Sequence, residues 1–81
     1  MLYRLSDGTT IDTARECSFE ERNFLQKMII FQHMKMDPAQ FRARWRTPDN
    51  PAWRGEQGLQ NPTPALRILL DMEKRLRAGD N

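Results

Sequence analysis

Cys17 and His33 are the one thiol and the one imidazole of the chain, and Arg42-Ala43-Arg44-Trp45-Arg46 is its densest basic and aromatic run. A thiolate beside an imidazole is a nucleophile, and Cys17 stands just ahead of a helix start, where the positive end of the dipole lowers a thiol pKa. Two features oppose that use. Glu16 and Glu20 place negative charge beside the thiol, and His33 falls about four helical turns further on, outside the reach of a Cys-His pair. Cys17 therefore reads as a plain, partly buried cysteine and His33 as a surface histidine on a polar arc with Arg22 and Gln26.

The arginine run carries a different chemistry. Arg42, Arg44 and Arg46, with Trp53-Arg54 a few residues on, offer phosphate neutralisation, and an exposed indole offers stacking on an unpaired base. Trp45 is the weak point, because Phe41 lies four residues before it and the two rings can pack inward together. Only arginines would then remain outside, as solvated groups near a helix C-terminus or as partners of Asp49 and Glu56. No helix-turn-helix, RNP-like or zinc-finger pattern accompanies the run.

Other chemistries find no residues to carry them. The sequence contains no phosphate loop, dinucleotide fingerprint, HExxH motif or EF-hand pattern. Cys17 and His33 alone cannot complete a four-ligand zinc site, and a single cysteine cannot close an internal disulfide. A general acid and base need a concave, partly dry site, which three small helices and a hairpin rarely enclose. No catalytic residue, cofactor, metal or small-molecule substrate is expected.

The elements that position these residues follow from local signals. Ser18 and Glu21 form a capping box, and Glu20 and Glu21 suit the positive end of the dipole, which starts a central helix over 18–36. Asp37-Pro38 closes it and opens a short aromatic helix over 38–46. Thr63-Pro64 opens a C-terminal helix over 64–78, stopped by Gly79, with Ala65, Ile68, Leu69, Met72 and Leu76 on one apolar stripe, Leu66 and Leu70 at its border, and Lys74, Arg75 and Arg77 at its end. Residues 47–63 hold enough proline and glycine to read as an extended, ordered loop anchored by Trp53 and Leu59. At the N-terminus, residues 1–13 read as a β-hairpin. A three-residue loop ending in a left-handed Gly8 pairs Leu5 with Thr9 and Tyr3 with Ile11, so Tyr3, Leu5 and Ile11 share a face expected to lie on the long helix.

The central helix holds more apolar residues than one face accommodates. At about 100° per residue, Phe24, Leu25, Met28, Ile29, Phe31 and Met36 share a broad arc, while Phe19, Ile30 and Met34 fall outside it. That second stripe must be covered either by the chain's own loop, through Trp53 or Leu59, or by another molecule.

With 81 residues, the chain predicts one small domain of the mainly α (α+β) class, of a size whose core is often supplemented by oligomerisation. The net charge is +2, but it is uneven: residues 1–37 carry five basic against six acidic groups, net −1, and residues 38–81 carry eight against five, net +3. No apolar run approaches the roughly 18 residues of a membrane span and no signal-peptide pattern opens the chain, so a cytoplasmic protein without a membrane partner is expected. The leading functional expectation is a non-enzymatic protein-protein interaction module, an adaptor or regulatory subunit, meeting another protein or a second copy through the central helix. Phe19, Ile30, Met34, Trp53 and Arg54 are its expected contact surface. The second expectation is a nucleic-acid-binding regulator that uses Arg42, Arg44, Arg46 and Arg54.

Overall fold

Four short polar side chains start four of the five helices, each accepting amide hydrogens that the first turn leaves unpaired. In the computed structural model, which describes residues 1–79, the elements are β1 (Leu2–Arg4), β2 (Thr10–Asp12), α1 (Thr13–Glu16), α2 (Phe19–His33), α3 (Pro38–Trp45), α4 (Glu56–Gln60) and α5 (Pro64–Arg77). Asp12 accepts from Ala14, Ser18 from Glu21, Asp37 from Ala39 and Gln40, and Thr63 from Leu66. At α2 the capping box is complete, since Glu21 also accepts the Ser18 amide at 2.7 Å. The fold is a small mainly α one with an N-terminal antiparallel hairpin.

The hairpin register pairs Tyr3 with Ile11, and the Leu5 amide donates to the Thr9 carbonyl at 2.7 Å across a loop in which Gly8 has φ +93°. That positive φ is the conformation the three-residue loop demands of glycine. The hairpin does not use α2 as its anchor. Its hydrogen bonds run to α5: the Tyr3 hydroxyl and the Ser6 amide donate to Asp71, and Arg75 donates to the Arg4 carbonyl at 2.9 Å. The expectation that it lies on the long helix is therefore corrected, and the cause is a tertiary acceptor, Asp71, that no local pattern announces.

The helix central in sequence is not central in space. α5 buries Ala65, Leu66, Ile68, Leu69, Asp71, Met72 and Glu73, and α1, α2 and α3 all pack against it. Leu25 and Met28 of α2, Phe41 and Trp45 of α3, and Ile11 of β2 join Leu66, Ile68, Leu69 and Met72 as the largest fully buried side chains. Burying a large apolar side chain contributes about 1.5–3 kcal/mol, so the residues ringing α5 supply most of the stabilisation.

The structure departs from the sequence expectation in three places, the first being Thr13, which does not end the hairpin but opens α1, a one-turn helix that was not expected. α2 stops at His33, three residues early, because Lys35 adopts the left-handed conformation, φ +57°. Its amide donates to the Gln32 carbonyl and that of Met36 to Phe31, the two bonds of a Schellman motif, with a lysine where glycine is usual. The span 47–63 is not wholly extended either. Gly55, at φ +70°, opens the one-turn α4, and Gly58 sits inside that helix against α5, where an added Cβ would stand 3.2 Å from Leu66 Cδ2. Gly58 thus permits a close approach and covers Leu66 instead of breaking a helix. Asn50, also buried, organises the start of the span: its side chain donates to the Trp45 carbonyl at 2.6 Å and accepts the Ala52 amide at 2.9 Å.

Candidate functional site

On α2, the residues excluded from the core face stand in solvent. Phe19 is 64% exposed, Ile30 57% and Met34 72%. Ile30 and Met34 are one turn apart and form a continuous ridge, whereas Phe19 lies eleven residues earlier, about 16 Å along the axis at 1.5 Å per residue. Exposed Asn23, Gln26 and Lys27 intervene. The stripe is therefore two separate patches. Phe19 belongs to a groove of about 400 Å³ shared with Met1, Ala14, Arg22 and Leu25.

The chain's own loop covers neither patch. Trp53 is half-buried and turns inward, its ring edge-on to Trp45 at 5.6 Å and 70°, and Leu59 is itself exposed. Trp53 accordingly packs the span 47–63 against α3, in keeping with its reading as an anchor of that span, and offers only part of its ring to the expected contact surface. Arg54, next to it, is exposed beside a shallow polar depression with Gln57, Gln60 and Asn61.

The arginines of α3 do not converge on one face. Arg42 forms a two-point pair with buried Glu73, Nε to Oε1 at 2.9 Å and the second nitrogen to Oε2 at 2.7 Å, and Arg77 joins the same carboxylate at 3.1 Å. Arg46 pairs with Glu56 and lies over the Trp53 ring at 5.6 Å. Arg44 points elsewhere, over the Phe31 ring of α2 at 5.1 Å. Trp45 is fully buried with Phe41, so no base can stack on it, and its indole nitrogen finds no partner among the described residues.

Three cations stand near the Ile30–Met34 ridge. Lys27 precedes Ile30 by three residues and Phe31 by four, the spacings that bring side chains together on a helix. Lys35 follows Met34, and Arg44 reaches over from α3 onto Phe31. All three are exposed, and none of the four ion pairs among the described residues uses them. Glu20 and Asp49 approach this rim from one side, sharing a shallow depression with Lys27 and Phe24.

The buried charges are structural in placement. Burial pushes the Asp71 carboxyl up, but donation from the Ser6 amide and the neighbouring Arg75 outweigh it and hold the group below its ordinary value. Burial, joined by the charge of Asp71, pushes the Tyr3 phenol well up. Burial also raises the Cys17 thiol, and Glu21 and Glu16 add to the effect against the opposing Arg22. Glu21 thus takes the part expected of Glu20. A protonated, buried thiol at one end of α2 and an exposed His33 at the other leave no nucleophile-base pair. Among the described residues no three of His, Cys, Asp or Glu gather as ligands for a metal, and no helix is long and apolar enough to cross a membrane.

Two buried carboxylates escaped the sequence reading. Asp71 and Glu73 each stand four residues before an arginine, Arg75 and Arg77, and that spacing within an apolar helix is the signal that would have found them. Comparison of the chain with protein-family models, curated proteins and solved structures finds no match.

Proposed function

We propose that the protein is a non-enzymatic interaction module, an adaptor or regulatory subunit of the cytoplasm, that meets another protein through the C-terminal half of the outer face of α2. One observation carries the reading: Ile30 and Met34 form an apolar ridge more than half exposed at the end of α2, while Trp45 and Trp53, which could have covered it, pack on each other. Withdrawing both side chains from water would contribute about 2–3 kcal/mol, allowing for the part already covered, which suits the centre of a small interface. The nucleic-acid reading draws less support, because carboxylates hold two of its four arginines and Trp45 is inside.

The test is a photoreactive phenylalanine in place of Met34, introduced into the full chain in its native host. The expected result is an adduct with one defined protein, lost when Ile30→Glu is added and absent when the same group replaces Lys74. An adduct of twice the chain's own mass identifies a second copy as the occupant. Indistinguishable adduct patterns from positions 34 and 74 would overturn the proposal.

A further inference from the structure

Resting on that reading, we infer that the occupant of the Ile30–Met34 ridge is an acidic amphipathic helix of a different protein. The shape argument comes first. Gln26, Ile30 and Met34 lie four apart, and a row of residues at that spacing is the ridge that packs into the groove of a second helix. The charge argument selects which helix. What sets the ridge apart is that three exposed cations, Lys27, Lys35 and Arg44, lie within a turn of Ile30, Met34 or their neighbour Phe31, and none of the four ion pairs among the described residues engages them. A helix that lays leucine or isoleucine on Ile30 and Met34 and carries glutamate on its flanks answers both features, with the carboxylates on the rim, where charge sets specificity and rate of encounter.

The same geometry disfavours a second copy. A twofold contact through this ridge places the same patch on both sides, and so brings Lys27, Lys35 and Arg44 of each molecule against a basic rim. A phosphate backbone would complement the rim but leave the apolar ridge at its centre unused, and the one aromatic ring there, Phe31, is already covered by Arg44. Two apolar side chains are too little to hold a lipid surface, where affinity scales with the apolar area inserted.

The experiment titrates the full chain, labelled on backbone amides and methyl groups, with three helical peptides that share one leucine face and carry glutamate, glutamine or lysine on its flanks. The glutamate peptide should shift the signals of Lys27, Ile30, Met34 and Arg44, and should bind roughly tenfold more tightly than the glutamine peptide, the combined effect of a few screened rim contacts. The double variant K27E/R44E should lose that preference and gain the lysine peptide. The pair R15E/K74E, with the same change in net charge at two exposed positions elsewhere, should leave it intact, and circular dichroism checks that both variants remain folded. Equal binding of the glutamate and glutamine peptides at Ile30 and Met34 would overturn the acidic assignment and leave the interaction reading standing. No shift at Ile30 or Met34 with any peptide would overturn both. Tighter binding of single-stranded DNA or of phosphatidylglycerol vesicles at the same residues would replace the acidic helix with that partner.

Discussion

α2 and α5 are nearly equal in length, 15 and 14 residues, and each carries seven residues of the Ala, Leu, Ile, Met and Phe kind, yet they occupy opposite ends of the range of burial. α5 gathers its apolar residues on one side and meets neighbours around most of its circumference. Even its carboxylates, Asp71 and Glu73, are buried and held by Ser6, Arg75, Arg42 and Arg77. α2 spreads its apolar residues around the axis, buries only Leu25 and Met28 fully, and leaves a ridge bare beside cations that none of the ion pairs among the described residues uses. Apolar content therefore does not identify the scaffold helix; segregation of that content does. A helix sorted onto one face can be enclosed, and a helix with two apolar directions in so small a chain leaves one of them in solvent.

The largest way to break the contrast is in α5. Leu69→Ala, at a fully buried position of α5, should lower the unfolding free energy by about 3–4 kcal/mol, measured by denaturant titration, because the cavity adds to the lost transfer energy. A loss below about 1 kcal/mol would show that α5 is not the core.

Next in size is the polar clamp that ties the hairpin to α5. Asp71→Asn keeps the shape but removes the charge from an acceptor shared by Ser6, Tyr3 and Arg75, and should cost about 2 kcal/mol at neutral pH. The pH dependence has a definite sign. A carboxyl held below its ordinary value in the folded state contributes stability that is present above the unfolded pKa, near 3.9, and lost as pH falls through the folded value, so the wild type should weaken in acid more steeply than the variant. Tyr3 supplies the opposite arm. Its phenol is raised, so its contribution is present below the ordinary value near 10 and lost as pH rises through the folded one. It is the one tyrosine of the chain, so alkaline absorbance titration should show ionisation delayed until unfolding begins. Ionisation near pH 10 in the folded protein would contradict the clamp.

A smaller effect sharpens the contrast at the helix ends. Lys35 and Gly79 adopt similar left-handed geometry after α2 and α5, φ +57° and +70°, but only the second is a glycine. Lys35→Gly should raise stability by about 1 kcal/mol, the cost of a Cβ in that conformation less the added freedom of the unfolded chain. A loss of stability would mean the Lys35 side chain makes a contact that offsets the strain.

The parts of this fold that were legible in sequence are those set within a few residues. Ser18, Asp37 and Thr63 announced their helices because a cap acts on amides two or three positions on, and Gly8 announced the hairpin register because only its conformation aligns Tyr3 with Ile11. Docking was not legible. The hairpin lies on α5 because of Asp71, more than sixty residues away, and Gly58 looked like a helix breaker because its reason, the nearness of Leu66, is tertiary. Helical period alone placed Ile30 and Met34 outside the core arc, but whether the chain's own loop covers them is tertiary and was not legible. Nor was their basic rim, since Arg44 arrives from another helix, or the inward turn of Trp53, which depends on where Trp45 sits.

The central claim is that α5 holds the fold while the ridge of α2 is spare. Its most direct test is the unfolding free energy of the double variant I30S/M34S in the isolated protein. The account predicts a value within about 0.5 kcal/mol of the wild type, as for exposed positions without internal partners. A loss of more than about 2 kcal/mol would mean that the ridge is already covered within the free protein and is no contact surface.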